Sequence, residues 1–388
     1  MEDIKIGLIV APDMPEKLTY KCIDALQQQL KNSLPDIKFD FDIEGDSVTG
    51  SAEYVHECIN YAYRRKNENN WDFSVCVTDL PSFSNSKAVL SDVSTTNQTA
   101  LISLPSLGIY RLKHKFVNAL SEIIYYLYSI SNNASVELKF SNLSISNIKQ
   151  VEPNDHNSTD ERFVLNSTII GGIKAVLGMT YANQPWKAIG AFKKIISLGF
   201  ATGTYVSIFS TPWQLSIDFS ILRFIILMFI AVIGMVSWLI YSHHFWEKPS
   251  SKSQRKYRYA YNLTTLTTLI SLTVFNYIIL FLFLFISVML FVPDNLFQLW
   301  GKADGEHSIT NYLRLTWFIT SVGLLAGALG SVLEGDEKMK ELTYSSRQYA
   351  RSQKIDEQLE KEEASSNYKE REEQHEGQVQ SHKEGSKQ

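Results

Sequence analysis

The chain has 388 residues, of which 37 are basic and 41 acidic, so its formal net charge is −4 at pH 7. That length has room for two domains, and the balanced charge gives no indication of nucleic-acid binding. The three cysteines, Cys22, Cys58 and Cys76, have no metal-ligand or disulfide spacing, which predicts buried free thiols. Glu2 and Asp3 precede a short apolar run, which is unlike a secretory signal peptide.

Residues 1–150 are predicted to form an α/β domain with a mixed, partly parallel sheet. Apolar runs bounded by prolines or turn residues indicate buried strands, and apolar side chains at helical spacing indicate helices. The predicted order of elements is β-α-β-α-β-β-β-α, which is typical of sheets covered by helices. The predicted segments are residues 4–12, 15–34, 37–43, 51–66, 71–78, 87–93, 99–104 and 110–131.

Polar side chains follow several of these predicted strands. The carboxyl ends of parallel strands form the edge at which α/β sheets bind ligands, so these side chains are ligand-binding candidates. A pair of carboxylates there could bind a divalent metal or perform acid–base catalysis. The alternative is that they only satisfy backbone amides in tight turns. The candidates are Asp13, Asp79, Asp92 and Ser103.

No recognised catalytic or nucleotide-binding motif supports a specific reaction. The sequence contains no HExxH, GxSxG or GxGxxG motif and no Walker loop. The sequence therefore assigns no catalytic residue, predicts no metal site and leaves any cofactor unknown.

The segment between the α/β domain and the apolar half is predicted to have two parts. Residues 151–162 are rich in Asn, Asp and Ser and predict a polar linker. Residues 163–190 are predicted to be amphipathic, because Leu165, Ile169 and Ile173 recur at helical spacing. Such a segment could lie on the inner membrane surface or pack against the soluble domain, and the sequence leaves both placements open.

Residues 191–333 are predicted to be an all-α transmembrane domain with four spans. The last three are long enough to cross a bilayer core of about 30 Å, whereas the first is short but uncharged. The segment 242–261 is rich in Lys and Arg and its neighbours are not, which predicts a cell-membrane protein with both termini in the cytoplasm. The predicted spans are about 195–211, 221–241, 262–292 and 312–333.

Small residues predict close helix contacts in this domain. Gly199 with Gly203, and Gly323 with Gly327, form two GxxxG patterns that permit close backbone approach in lipid. Packing within the bundle is the favoured interpretation, and homo-oligomerisation is the alternative. Residues 334–388 hold 14 acidic and 10 basic side chains, which predicts a charged cytosolic tail that is helical and then disordered.

Several short motifs together resemble a family of uncharacterised bacterial integral membrane proteins. The resemblance covers about residues 4–350 and implies an N-terminal cytosolic α/β domain on a multi-pass membrane domain. Members are sometimes labelled methylene-tetrahydrofolate dehydrogenase, but the α/β domain lacks the Tyr-x-x-x-Lys pattern and Gly-rich turn of that enzyme class. The motifs are Trp71-Asp72, Thr78 to Pro81, Ser103 to Pro105, Leu107-Gly108, Gly171-Gly172, Gly178-Met179, Asn183 to Trp186, Tyr261-Asn262, Gly327 to Gly330, Leu333-Glu334 and Tyr344 to Arg347.

The sequence favours a multi-pass membrane protein whose cytosolic α/β domain binds a protein partner or a small ligand. One alternative is a membrane-bound enzyme that uses the carboxylates at the strand ends. The other is a transporter or channel subunit, which would need a polar path through the spans. In each case the lipid bilayer is an expected partner and nucleic acid is not.

Overall fold

The structure, a computed structural model, consists of an α/β domain followed by a bundle of apolar helices. The predicted tail, residues 334–388, and the middle of the predicted linker lie outside the described residues. The described residues are 2–46, 58–134, 136–140, 143, 148–152, 160–246, 255–301 and 309–330.

One mixed sheet of eight strands forms the centre of the α/β domain. Four parallel strands stand in the order β2-β1-β3-β6, and antiparallel pairing continues the sheet through β5, β8 and β7, with β4 beside β5. The prediction of a mixed, partly parallel sheet is confirmed. The strands are β1 (Glu2–Val10), β2 (Ile37–Gly45), β3 (Phe73–Thr78), β4 (Ser82–Ser84), β5 (Lys87–Ser94), β6 (Thr99–Ser103), β7 (Ile148–Val151) and β8 (Glu161–Leu165).

The helices follow the same chain order. Short 3-10 segments at Leu104–Leu107 and Pro185–Phe192 precede α3 and α5, respectively. The helices are α1 (Met14–Ser33), α2 (Cys58–Glu68), α3 (Leu112–Ser131), α4 (Thr168–Ala182), α5 (Lys193–Ser207), α6 (Ser210–Asp218), α7 (Ile221–Ser242), α8 (Arg255–Phe291), α9 (Asp294–Gly301) and α10 (Ile309–Gly330).

The centre of the sheet is buried on both faces. All six residues of β3 are buried, as expected for an apolar parallel strand between two layers. On one face α1 and α3 pack over the strands through Leu26 and Phe116. On the other, Trp71 lies so close to β1 that a Cβ on Gly7 would be 1.8 Å from its ring, so this position requires glycine.

One strand lies where the sequence predicts a connector and an amphipathic segment, and another reaches the predicted end of the α/β domain. Glu161–Leu165 forms β8, which pairs with β5 and crosses the boundary predicted at residue 162. Ile148–Val151 forms β7, which pairs with β8. The α/β domain therefore extends past the predicted boundary at residue 150, because β8 finds its partner about 70 residues earlier in the chain.

Helix α4 packs against the α/β domain, one of the two placements that the sequence left open. A Cβ on Gly178 would lie 2.5 Å from the carbonyl oxygen of Pro105, so the helix lies directly on that 3-10 turn. The Thr180 hydroxyl lies 2.6 Å from the Thr267 hydroxyl of α8. The opposite face of α4 exposes apolar side chains, among them Ile169.

Three helices among the described residues are long and apolar enough to cross a bilayer. They are Ile221–Ser242, Arg258–Phe291 within α8, and Ile309–Gly330. The chain is therefore a membrane protein by the length and composition of its helices, but the prediction of four spans is wrong. The first predicted span, 195–211, ends as a helix at Ser207, and the 15 residues of α5 rise only about 22 Å.

The short helix α5 packs deep in the bundle despite its length. A Cβ on Gly199 would lie 2.9 Å from the Gly323 carbonyl oxygen, and one on Gly327 would lie 2.8 Å from the Ile195 carbonyl oxygen. A Cβ on Gly203 would meet Leu284 at 2.7 Å. These contacts bring α5 against both α8 and α10, and they require α5 and α10 to run antiparallel.

The α/β domain and the end of α10 lie at the same end of the bundle. Helices α8 and α10 are antiparallel, because the Tyr277 hydroxyl contacts Ser321 at 2.9 Å and the Tyr312 hydroxyl donates to the Val292 carbonyl at 3.1 Å. The α/β domain packs on the first turns of α8, at Tyr261. We call this end, which also holds the start of α5, the domain end.

Candidate functional site

Four parallel strands end side by side at one edge of the sheet. Gly45, Val10, Val77 and Ile102 are register partners on β2, β1, β3 and β6, so they form one row across the sheet. The residues that follow this row lie at the carboxyl edge, where open α/β sheets bind ligands. We call the following four residues the strand-end site: Asp13, Asp46, Asp79 and Ser103.

Asp13 and Asp79 come from adjacent loops. The Ala11 amide donates to the Val77 carbonyl at 2.9 Å, which joins the loop after β1 to the end of β3. Asp13 is exposed and has a positive φ of 74° at the start of α1, a conformation that costs a non-glycine residue energy. Asp79, by contrast, is only 2% exposed.

Ser103 is bound to the backbone of the neighbouring loop. Its hydroxyl donates to the Leu80 carbonyl at 2.6 Å, and the Leu80 amide donates to the Thr78 hydroxyl at 3.1 Å. Ser106, in the following 3-10 turn, donates to the Val89 carbonyl at 2.5 Å. These bonds fix the loops after β3 and β6. The Ser103 hydroxyl, which the sequence suggests as a ligand contact, is therefore bonded to the protein backbone.

Asp92 lies away from the strand ends. It is opposite Leu101 within the sheet, and its carboxylate accepts two hydrogen bonds from Arg162, at 2.6 and 3.0 Å. Both side chains are buried. The pair joins β5 to β8, so the structure separates Asp92 from the other three candidates and gives it a structural partner.

Asp46 also lies at this edge, although no sequence motif marks it as a candidate. It directly follows β2, its amide donates to the Val10 carbonyl at 2.9 Å, and its carboxylate accepts a hydrogen bond from Tyr61 of α2. Burial and this hydrogen bond raise the pKa of Tyr61, so the phenol stays protonated and donates. The alternation of apolar and polar residues in β2 stops at Gly45, which marks Asp46 as the first residue after a strand.

A second ion pair reinforces the contact between α2 and β2. The Arg65 guanidinium binds both oxygens of Glu44, and it also bonds Glu68 at 2.6 Å. The hydrogen bond to Glu44 raises the pKa of Arg65, so its charge is constant. Arg65 and Tyr61 together hold α2 over the carboxyl end of β2, next to the strand-end site.

The strand-end site does not assemble a metal centre from described residues. No group of three or more His, Cys, Asp or Glu side chains is close enough to hold a metal ion in the part of the chain that the structure describes. Cys22, Cys58 and Cys76 are buried and outside any disulfide, as predicted. Burial raises the pKa of the Cys76 thiol well above its ordinary value, which makes a metal-binding or nucleophilic thiolate unfavourable.

The remaining predicted residues lie in the bundle. Gly199, Gly203, Gly323 and Gly327 line the contacts of α5 with α8 and α10 described above. At the other end of the bundle, Arg314 donates to the carbonyls of Ser216, at 3.1 Å, and Phe219. These carbonyls end α6, where a cation is favoured by the helix dipole.

A scan against protein-family models, a search of curated proteins and a search of solved structures each find no match for the chain.

Proposed function

We propose that the α/β domain binds a small ligand at the strand-end site and transmits the bound state to the membrane helices through α8. One observation carries this proposal. Strands β1, β3 and β6, whose ends form the site, also contribute Ile9, Cys76 and Leu101 to a buried cluster that includes Met179 of α4 and Tyr261 of α8. A ligand that shifts these strand ends therefore acts on α8 through direct packing.

The accessible groups define the chemistry of the ligand. Asp13 is exposed and Asp46 is half-buried, so the site offers carboxylate oxygens to solvent. Carboxylates accept hydrogen bonds and attract cations, which favours a ligand with hydroxyl or ammonium groups. Asp79 and Ser103 are buried, and the Ser103 hydroxyl is bonded to the Leu80 carbonyl of the loop after β3. Their burial favours a binding role for the site over carboxylate catalysis at Asp79.

Full-length protein in detergent, screened by thermal shift against small polyols and amines, tests ligand binding. A stabilising compound should lose its effect in Asp13→Asn and Asp46→Asn, because each variant removes a carboxylate charge. Asp36→Asn is the matched control, since Asp36 is exposed at the opposite edge of the sheet, just before β2. Equal stabilisation of all three variants would reject the strand-end site.

The orientation of the protein is part of the proposal: a multi-pass cell-membrane protein with the α/β domain and the C-terminus in the cytoplasm. Two facts support it. The domain end holds the α/β domain, the start of α8 and the end of α10. Helices α5 and α6 lead the chain from this end to the opposite end, where Arg314 bonds Ser216, before the three candidate spans begin. The sequence 242–261, which contains the start of α8, is rich in Lys and Arg, as cytoplasmic loops are.

Reporter fusions test this orientation. A reporter inserted at Ser33, the exposed last residue of α1, and one fused after Gln388 should both report a cytoplasmic location. An external signal from either position would refute the proposed orientation without affecting the ligand-binding proposal.

A further inference from the structure

Helix α8 carries two polar side chains into the apolar interior of the bundle. Thr273 is 0% exposed and Asn276 is 1% exposed, and both belong to the candidate span Arg258–Phe291. Side chains three residues apart share one helix face, so the hydroxyl and the amide are neighbours. Asn276 precedes Phe291 by a helix rise of about 22 Å, which places it inside a hydrocarbon core of about 30 Å measured from that end.

Neither side chain finds a hydrogen-bond partner within the described part of the chain. The Thr273 Oγ1 and both the Oδ1 and Nδ2 of Asn276 are buried and unbonded. Their situation is not general for α8, because Thr264 donates to the carbonyl four residues before it at 2.7 Å, and Thr267 does so at 2.9 Å. Tyr277, the next residue, is bonded to α10.

Unbonded amide groups are costly in the interior of a membrane protein, and native structures rarely keep them without a partner. A second protein chain cannot supply that partner, because Asn276 is almost fully buried inside the bundle. Lipid headgroups are excluded by the same burial and by depth. The partner must therefore be small enough to enter the bundle itself.

We propose that Thr273 and Asn276 form a binding site for a small neutral molecule that both donates and accepts hydrogen bonds. The amide supplies a donor and an acceptor, and the hydroxyl supplies either. The nearest buried positions on the same face of α8 are Leu269, Leu272 and Leu280, which carry no charge and so disfavour an ion. Three unbonded atoms match the roughly three hydrogen bonds that a buried water molecule makes.

Radiolytic hydroxyl-radical footprinting of the full-length protein in nanodiscs tests for water at the site. Radicals form where water is bound, so Tyr277, beside the site and only 8% exposed, should be labelled several-fold faster than Phe116, a 1% exposed residue in the core of the α/β domain. Asn276→Leu should remove this labelling. Labelling of Tyr277 as slow as that of Phe116 in the wild type would overturn a bound water.

Thermal melts of isosteric variants supply the second measurement. Thr273→Val should lower the Tm if its hydroxyl binds a ligand, and should raise it if the hydroxyl is truly unbonded, because replacing an unbonded buried hydroxyl by a methyl group is favourable. Thr320→Val is the matched control: Thr320 is equally buried but bonds its own helix at 2.6 Å. A rise in Tm for Thr273→Val beyond that of the control would overturn the site.

The same melts distinguish water from a dissolved compound of the same chemistry. If the site binds a small solute, urea, acetamide or glycerol should raise the Tm of the wild type relative to Asn276→Leu in a saturable way. If water occupies it, the difference between the two proteins should not depend on these solutes. Absence of both labelling and solute dependence would reject the site entirely.

Discussion

The stability of the α/β domain depends on one buried ion pair, Asp92 with Arg162. Their two hydrogen bonds link the side chains of β5 and β8 directly. Both charges are removed from water, and the attraction between them offsets their desolvation only while both are present. Removal of one partner leaves an uncompensated charge inside the protein.

We therefore expect Asp92→Leu to lower the free energy of unfolding of the α/β domain by about 3–5 kcal/mol. The combined variant Asp92→Leu with Arg162→Met should recover most of that loss, since it replaces two charges by apolar side chains of similar volume. Chemical denaturation followed by tryptophan fluorescence measures both. A double variant as unstable as the single one would show that the pair contributes more than mutual neutralisation.

Asp160 is a second single residue whose hydrogen bonds stabilise the α/β domain. Its carboxylate accepts hydrogen bonds from the Thr96 amide at 3.0 Å and the Thr95 hydroxyl at 2.8 Å, which ties the turn after β5 to the start of β8. Burial acts to raise the pKa of Asp160, but these hydrogen bonds outweigh it and the pKa is lowered. The carboxylate therefore stabilises the fold above the unfolded-state pKa, and this contribution is lost as pH falls through the lower, folded-state value.

Asp160→Asn should accordingly reduce stability at neutral pH and flatten the acid limb of the stability curve. Tm measured between pH 7 and pH 3 in wild type and variant gives the comparison. An unchanged acid limb in the variant would assign the pH dependence to other carboxylates.

At the residue scale, local patterns predicted part of the candidate site. Asp13 and Asp79 were selected because each follows an apolar run, and the structure places both at strand ends. The role of Asp92 was not predictable in this way, since its partner Arg162 is 70 residues away in sequence. Asp46 was missed although it too follows a strand, because its bond to Tyr61 depends on how α2 packs over β2.

At the scale of single elements, Gly178 allows α4 to pack closely on the Leu104–Leu107 turn. A Cβ on Gly178 would lie within 2.6 Å of the Pro105 backbone, whereas nothing lies within 4 Å of a Cβ on Gly172 of the same helix. Gly178→Ala should therefore push α4 off the Leu104–Leu107 turn and lower the Tm. Gly172→Ala should leave the Tm equal or higher, because alanine favours a helix over glycine by about 1 kcal/mol. Equal effects would show that α4 does not depend on this contact.

Glycine also permits close packing inside the bundle, between α5 and α10, and this contact can be tested in the same way. Gly199 and Gly323 approach backbone to backbone, so a methyl group at either position must separate the helices. Gly323→Ala should lower the thermal stability of the detergent-solubilised protein, while Gly190→Ala, with nothing within 4 Å of its Cβ, should not. Equal melting of both variants would exclude close α5–α10 packing as a source of stability.

Helix α5 and strand β8 also show why element predictions fell short. The sequence around 195–211 is uncharged and apolar. Such a segment can be buried either in lipid or among other helices, and composition alone does not distinguish the two. Here α8 and α10 bury the side of α5 that carries Gly199 and Gly203. The five residues of β8 are too few for a period of two to be distinguished from the helical spacing of the segment that follows.

At the scale of the whole molecule, α8 joins the two parts. Its 37 residues rise about 55 Å, far more than a bilayer core requires. The first turns pack on the sheet through Ala260 and Tyr261, and the later turns form the centre of the bundle. The α/β domain is thus not a separate unit on a linker, because α4 and α8 share with α2 the cover of one face of its sheet.

That arrangement predicts how the domain behaves when the membrane half is removed. A fragment ending at Leu165 contains every described strand and keeps α2, but it loses α4 and α8 and so exposes the part of that sheet face which Met179 and Tyr261 cover. Exposed apolar surface of this kind favours aggregation. A fragment ending at Ala182 keeps α4, including Met179, and should cover part of that face.

We expect the fragment 1–165 to aggregate and to bind a hydrophobic dye strongly in detergent-free buffer, and the fragment 1–182 to do so less. Size-exclusion chromatography and dye fluorescence measure this order, and Met179→Glu in the longer fragment is the matched control that should restore the behaviour of the shorter one. A monomeric, dye-free fragment 1–165 would show that the sheet is complete without the membrane helices. In that case the packing of α8 on the sheet would not be required for a stable domain, and the proposal that α8 carries a signal from the strand ends to the bundle would lose its support.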